Sequence, residues 1–249
     1  MKYFAALLFF VFIVGCKTYQ VTSLEVDNIR ISEANLSSEE EIEKLITPFR
    51  ETKNEKMKEV IGELAVDLTK ERPESDIGNW LADMLHSYSE KLYGGKLDFA
   101  VQNHGGVRVG TMARGPITVG EIYEVMPFDN NVEILKGDSA QVHRFLNHIA
   151  ASGGWPVSHS LRFTIEEEMA VDVEINGRPL ESNYEYSFAL PDYIANGGSN
   201  SFFLKDYNRV STGVPIRDAF IEYLREAQTN GIIQKPVKDD RIKLSSEDM

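Results

Sequence analysis

The chain has a single cysteine, Cys16, so no disulfide can form within it. Its stability must therefore come from a hydrophobic core, and 249 residues of which 42% are hydrophobic are enough to build one large domain. Positive charge is also scarce, because 26 Lys and Arg stand against 39 Asp and Glu and give a net charge of −13. We therefore expect no binding to a nucleic-acid polymer, which depends on neutralising phosphates, whereas a local cationic site can still bind one small nucleotide.

The only long apolar run in the sequence lies at its N-terminus. Met1-Lys2 precedes an unbroken apolar stretch from Phe4 to Val14, which is too short to span a bilayer and is typical of a signal peptide over residues 1–15. The run ends in Ile13-Val14-Gly15-Cys16, which resembles a bacterial lipobox, so we expect a lipid on Cys16. An ordinary secretory signal with an incidental cysteine is the alternative. The first interpretation places the protein in the bacterial cell envelope, lipid-anchored to a membrane and either periplasmic or surface-exposed.

Motifs that bind metal ions are missing from the sequence. Two-metal hydrolysis needs clustered Asp, His and Asn ligands, but the sequence has no His-x-His, Asp-x-His or Gly-Asn-His-Asp/Glu element. His143 and His148 lie five residues apart in one helical segment, which places them poorly on one face. We therefore expect no metal or other cofactor in this chain. The five histidines are His86, His104, His143, His148 and His159.

The spacing of apolar residues predicts an α+β fold with a mixed β-sheet flanked by helices. Helical spacing dominates early in the chain, and strand-like alternation dominates later. The polar residues 16–37 predict a tether, so one domain is expected over 38–249. Helices are predicted at 38–53, 54–68, 76–93, 120–126, 138–151 and 215–229, and strands at 97–102, 132–135, 161–165, 170–175 and 184–190.

Two glycine loops occur close to aromatic residues. The first, Asn103-His104-Gly105-Gly106-Val107-Arg108, follows a predicted strand. Glycines let backbone N–H groups approach an anion, and Arg108 can bind a phosphate through two hydrogen bonds. Phe128 follows about twenty residues later, and the second loop reads Tyr193-Ile194-Ala195-Asn196-Gly197-Gly198-Ser199. Two such rings can stack on both faces of a base. The alternative is that the rings pack in the core and the glycines form ordinary turns.

The ordered set of motifs resembles the C-terminal domain of bacterial and animal 5′-nucleotidases over about residues 40–245. The resemblance implies a domain that binds the base and the sugar of a nucleotide or nucleoside, with Phe128 and Tyr193 as the stacking pair. It also implies that Asn103 hydrogen-bonds to the base or ribose, and that Gly105, Gly106 and Arg108 face the phosphate. The resemblance rests on Arg72–Asn79, Asn103-x-Gly-Gly-x-Arg108, Gly115-Pro116-Ile117-Thr118, Pro127-Phe128, Leu135-x-Gly137 and Tyr193-x-Ala-Asn-Gly-Gly198.

The second glycine loop belongs to the same expected site, with Asn196, Gly197, Gly198 and Ser199 as binding residues. Two positions depart from the family pattern. Ser199 stands where an Asp usually follows the glycine pair, which affects ribose recognition. Asp76 stands near a position that often holds an arginine, with Arg72 as the nearest cation, which affects phosphate binding.

The resemblance also implies where hydrolysis takes place. The two-metal centre of the family lies in a separate metallophosphoesterase domain, whose motifs this sequence lacks. We therefore expect no catalytic residue in this chain, and divalent metals in a partner metallophosphoesterase chain with which it contributes to nucleotide catabolism. Two alternatives stay open: a non-catalytic periplasmic nucleoside-binding lipoprotein, and a structural envelope lipoprotein without a ligand.

Overall fold

A computed structural model describes residues 40–245, apart from the side chains of residues 41, 49 and 52–54. The predicted signal peptide, Cys16 and the predicted tether lie outside the described residues. In the described part of the chain, no helix is long and apolar enough to cross a membrane. Contacts divide the chain into two units, Met1–Pro48 and Phe49–Met249, and all described strands belong to the second.

Helices and strands are mixed along the chain, with short 3₁₀ turns at His104–Gly106, Gly198–Asn200 and Phe202–Asp206. The elements are α1 (Glu40–Met57), β1 (Val60–Leu64), β2 (Leu68–Thr69), α2 (Asp76–Tyr93), β3 (Phe99–Ala100), β4 (Thr111–Met112), β5 (Gly115–Thr118), α3 (Val119–Val125), β6 (Asn131–Gly137), α4 (Ser139–Ala151), β7 (Leu161–Glu166), β8 (Met169–Ile175), β9 (Arg178–Pro179), β10 (Tyr186–Pro191), α5 (Asp192–Ala195), β11 (Asn208–Pro215), α6 (Ile216–Thr229) and β12 (Ile242–Leu244).

The central sheet has the strand order β11–β6–β10–β3 and a hydrophobic core on each face. Strand β3 runs parallel to β10, whereas β6 is antiparallel to both of its neighbours, so the sheet is mixed. Because successive side chains of a strand point to opposite faces, Ile134 packs with α2 and α6 and Leu135 packs with α4. A second sheet, β12–β7–β8–β9, contacts α4 through β8. The predicted fold class is confirmed.

The helix boundaries follow from local capping. Ser75 precedes α2 and its hydroxyl accepts a hydrogen bond from the Gly78 N–H at 3.1 Å. Gly94 ends the same helix with a φ of 70°, a conformation that favours glycine. Asp138 and Gln141 form a capping box at the start of α4. The helices predicted at 76–93, 120–126, 138–151 and 215–229 are confirmed, and their ends differ by at most one residue from the prediction.

The helix predicted over 54–68 is wrong beyond Met57, where α1 ends, because Val60–Leu64 forms β1 and pairs antiparallel with β5. The register shifts between Val60 and Gly62, which is a bulge. As a result Ile61 and Leu64 are both buried, three residues apart, and their spacing imitates the helical period. Only the pairing with a distant strand distinguishes the two structures, and that pairing is not visible in the local pattern.

A buried ionic cluster holds the C-terminal segment against α2. The guanidinium of Arg241, whose side chain is 5% exposed, donates to both carboxylate oxygens of Asp83 at 2.8 and 2.7 Å. It also donates to Asp239 at 2.7 Å, and Asp239 accepts a second bond from Arg162 at 2.6 Å. Burial by itself raises the pKa of Asp239, but the bonds from Arg241 and Arg162 outweigh burial and hold this pKa below its usual range.

We predict that Arg241→Met lowers the free energy of unfolding at pH 7, because it leaves Asp83 without its arginine and Asp239 with Arg162 alone. The loss should be about 2 kcal/mol, less than for fully buried pairs because both carboxylates are about one-third exposed. Urea unfolding measures it, and Lys238→Met, in an exposed pair of the same segment, should change stability little.

A comparison of wild type with Arg241→Met at several pH values tests the same account. A depressed carboxyl pKa contributes stability that is present above the unfolded value of about 4 and is lost as the pH falls through the folded value. The difference between wild type and Arg241→Met should therefore shrink below about pH 4. A difference that is constant from pH 7 to pH 3 would contradict the ionic account.

Candidate functional site

A cavity of about 340 Å³ opens at one end of the central sheet, within the size range of small-molecule sites. Three loops meet there: the loop after β3, the loop between α3 and β6, and the loop after β10. The strand directions explain this meeting, because parallel β3 and β10 end where antiparallel β6 begins. The cavity is lined by Asn103, Gly105, Gly106, Arg108, Phe128, Asn130, Tyr193 and Ser199.

The first glycine loop is a tight 3₁₀ turn over a buried amide side chain. The Gly106 N–H donates to the Asn103 carbonyl at 2.9 Å, so it is used within the turn and is not free for an anion. A Cβ on Gly106 would lie 2.6 Å from Gln102 Nε2 and 2.8 Å from Asn103 Oδ1. The glycine is therefore needed because the Gln102 and Asn103 side chains lie against it. Asn103 is 5% exposed, and its Oδ1 has no hydrogen-bond partner among the described residues.

Positive charge is concentrated beside this loop. The Arg108 guanidinium lies 5.6 Å from the centre of the Phe128 ring, and Lys70 Nζ donates to the Val107 carbonyl at 2.7 Å. Burial, and then the charges of Arg108 and Arg72, lower the pKa of Lys70. Burial, Arg72 and Lys70 lower the pKa of His104 to about 4, so His104 is neutral at pH 7. Within residues 40–245, Arg72 and Arg108 form no ion pair with a carboxylate, so this edge of the cavity favours an anion.

Phe128 is placed by the short helix α3. The Thr118–Glu121 capping box begins this helix, and the Arg108 N–H donates to the carbonyl of Val125 at its end, at 3.0 Å. The chain then turns through Pro127, and the Phe128 ring is 40% exposed. An exposed ring at a cavity wall can stack on a planar ligand. The backbone bond from Arg108 also joins the first glycine loop to the segment that carries the ring.

Tyr193 lies in the short helix α5 and is 48% exposed. A Cβ on Gly198 would lie 2.5 Å from two carbons of the Tyr193 ring, so the glycine lets the loop fold closely over the tyrosine. The Ser199 N–H donates to the Tyr193 hydroxyl at 3.3 Å. Gly197 has a φ of 92°, and Ser199 has a φ of 52°, which is strained for a residue with a side chain.

His148 supports the strained loop from α4. Its Nε2 lies 2.9 Å from the Ser199 carbonyl, which can only accept, so Nε2 carries the proton. The imidazole packs edge-on against Trp155, with ring centres 5.3 Å apart. The contact of His148 with the cavity-lining Ser199 depends on a distant loop and has no signal in the sequence.

Comparison with known proteins decides the family. A family model described as "5′-nucleotidase, C-terminal domain" matches residues 60–206. The chain belongs to the 5′-nucleotidase C-terminal domain family. The resemblance found in the sequence is therefore confirmed.

In each relative, the match to this chain spans only part of the relative's length. The cell wall protein Lmo0130 of Listeria monocytogenes is 25% identical over 183 residues, which are 68% of this chain and 23% of the relative. A 5′-nucleotidase of Vibrio cholerae is 31% identical over 134 residues, 52% of this chain and 24% of the relative. The solved 5′-nucleotidase precursor from Thermus thermophilus has a TM-score of 0.70 at 27% identity, covering 82% of this chain and 43% of that one. The chain thus spans about a quarter of the length of these curated relatives.

The structure of this 5′-nucleotidase C-terminal domain brings seven of the expected binding residues together. The other three do not line the cavity: Asn196 Oδ1 accepts from Arg209 at 2.8 Å, and Gly197 and Gly198 shape the loop. Asn130 and Lys70 were not expected from the sequence, although Asn130 lies only two residues after Phe128. The residues brought together are Asn103, Gly105, Gly106, Arg108, Phe128, Tyr193 and Ser199.

Two further histidines of the domain contact groups within the fold. Among residues 40–245, no group of three or more His, Cys, Asp or Glu side chains is arranged to hold a metal ion. His143 Nε2 contacts the Ala170 carbonyl at 3.1 Å, and His159 Nδ1 lies 3.2 Å from Asp83, so each of these histidines has a partner within the fold.

We predict that Gly106→Ala destabilises the domain by about 1–3 kcal/mol, because the new methyl group overlaps Gln102 and Asn103. Gly105→Ala is the matched control, since its Cβ would meet only Asn103 Nδ2, at 3.7 Å. Chemical unfolding of both variants measures the effect. Equal stability of the two variants would contradict the packing role assigned to Gly106.

Proposed function

We propose that this domain binds a nucleotide or nucleoside, with the base between Phe128 and Tyr193 and the sugar and phosphate towards Arg108. The observation that carries the proposal is that one cavity is lined by both rings, by Arg108 and by Asn103. Stacking on an aromatic ring contributes about 1–3 kcal/mol per base, so two rings supply most of the affinity.

Two amides of the cavity wall complement the polar edge of a base or a ribose. Asn103 has a buried Oδ1 without a partner in the described part of the chain, and Asn130 lines the same wall. A buried acceptor without a hydrogen bond is costly, so a donor from a ligand that reaches it is favoured. A base NH₂ or a ribose hydroxyl supplies such a donor.

The cations beside the first glycine loop favour the phosphate of a nucleotide. Arg108 lines the cavity, and after burial the charges of Arg72 and Lys70 lower the pKa of His104 in the same loop. Asp76 stands near the place where the resembled pattern often has an additional arginine, and Arg72 and Lys70 are the cations close to it in the sequence. A local positive field of this kind lets a protein with a net charge of −13 bind a dianion.

The hydrolytic step belongs, in this proposal, to a separate metallophosphoesterase chain with two divalent metals. Support comes from the sequence, in which the metal-binding motifs of such a centre are missing. The domain would then contribute to nucleotide catabolism by holding the base and sugar. Its place in the cell envelope, with a lipid on Cys16, is supported by the lipobox-like end of the apolar run and by the similarity to a cell wall protein.

A second candidate function is nucleoside binding without any hydrolase. Ser199 lines the cavity at the position where the resembled pattern has a carboxylate, and a hydroxyl is a weaker partner than a carboxylate for the ribose diol. Calorimetry with each nucleoside monophosphate and its nucleoside distinguishes the two functions. Tighter binding of the phosphorylated ligand supports the first, and equal affinity supports the second.

We predict that Phe128→Ala and Tyr193→Ala each weaken nucleotide binding by about 1–3 kcal/mol, because each removes one stacking surface. Calorimetry with AMP, GMP, CMP and UMP measures the loss. Tyr184→Ala is the matched control, because Tyr184 is 47% exposed, like Tyr193, but lines a different cavity.

Two results would contradict the proposal. If none of the nucleotides and nucleosides binds, the domain is a structural envelope protein. If the purified chain alone releases phosphate from AMP with Mg²⁺, Mn²⁺ or Zn²⁺, the hydrolytic centre is not in another chain.

A further inference from the structure

The segment that carries Phe128 is held by an arginine that does not itself line the cavity. Arg217 is the second residue of α6, and only 11% of its side chain is exposed. Its Nη2 donates to the Asp129 carboxylate at 2.5 Å, and its Nη1 donates to the Phe128 carbonyl at 3.4 Å. The guanidinium also stacks over the Tyr123 ring, 4.0 Å from its centre. One side chain thus contacts α3 and the loop that follows it.

The ion pair of this buried arginine contributes little to the stability of the fold. A buried guanidinium is unfavourable unless its donors are paired. The Nε of Arg217 is buried and has no hydrogen-bond partner within residues 40–245, and its ion-pair partner Asp129 is 86% exposed. Ion pairs with an exposed partner add little to stability. All of these contacts of Arg217 are made to α3 or to the loop that carries the Phe128 ring.

A neighbouring backbone bond completes the same attachment. The Ile216 N–H donates to the Asn130 carbonyl at 2.8 Å, so the first two residues of α6 hold Phe128, Asp129 and Asn130 in place. Phe128 and Asn130 both line the cavity, whereas neither Ile216 nor Arg217 does. The side chains that face the ligand are therefore oriented by a helix whose own side chains do not line the cavity.

We propose that Arg217 is a positioning residue of the nucleotide site: it orders the Phe128 loop before the ligand arrives. The inference rests on the proposed function, because it assigns a role in the binding of the base. Fixing a binding group in its bound conformation avoids the entropy loss that binding would otherwise impose. The planar fork of arginine makes both contacts at once, which a lysine cannot do.

Asp129→Ala separates positioning from a simple effect of charge. If Arg217 acted only through its positive field, removal of the nearby negative charge would strengthen binding of an anionic nucleotide and leave its nucleoside unaffected. If Arg217 acts by positioning, Asp129→Ala should instead weaken binding of the nucleotide, and it should weaken binding of the nucleoside by the same factor. Because Asp129 is exposed, this variant should fold like wild type, so it tests the proposal even where Arg217 variants fold poorly.

The ligand for this test is whichever of AMP, GMP, CMP and UMP binds most tightly to wild type. We expect Arg217→Lys and Asp129→Ala each to weaken its binding about three- to tenfold, and to weaken the binding of its nucleoside equally. In a Phe128→Ala background the same changes should have a smaller effect than in wild type, because they act largely through that ring. Arg225→Lys is the matched control, since Arg225 lies on the same helix and pairs with Glu59 and Glu222 away from the loop. Its affinity should equal that of wild type.

Amide hydrogen exchange of residues 126–131 provides a readout that needs no ligand. Both variants should speed exchange in this segment, and Arg225→Lys should not. Unchanged exchange, or full additivity with Phe128→Ala, overturns the positioning role. If exchange rises but wild type binds no nucleotide or nucleoside, the anchor is real and the proposed function fails.

Discussion

The pairing of β6 with β10 is the constraint on which the site depends. Pro191, the last residue of β10, lies opposite Val132 near the start of β6. Phe128 therefore precedes one strand and Tyr193 follows the other at the same end of the sheet, although the two rings are distant in sequence. Parallel β3 ends at that edge too, and it brings Asn103 into the same cavity. A one-residue slip of this register would turn the side chains of β6 to the opposite cores, so the packing of the cores also fixes the site.

Much of this arrangement could be predicted from the sequence, because the strong signals are local. The spacing of apolar residues predicted the fold class and most helices, and the ordered motifs predicted the family. The helix expected over 54–68 failed because a bulge in β1 gives buried residues at helical spacing. The residues that hold the site in place could not be predicted, for a related reason. His148 under Ser199 and Arg217 beside Phe128 act across long sequence distances, and no local pattern encodes such contacts.

The glycines of the site lie where the motifs predicted, but the physical reason for a glycine there differs from the one expected. Gly106 was expected to free backbone N–H groups for an anion, but its N–H closes the turn and its missing side chain makes room for Asn103. Gly198 likewise makes room for the Tyr193 ring. The proposed binding of an anion therefore depends on the side chains of Arg108, Lys70 and Arg72. Among the described residues, neither Arg72 nor Arg108 forms an ion pair with a carboxylate. An acidic protein can thus present one cationic edge beside two exposed rings.

The most direct test of this account is a crystal structure of the domain with AMP bound. The account predicts an adenine between Phe128 and Tyr193, with a hydrogen bond to Asn103 or Asn130 and the phosphate on the side of Arg108. A base bound elsewhere on the domain, with the cavity between the two rings free of ligand, would contradict it.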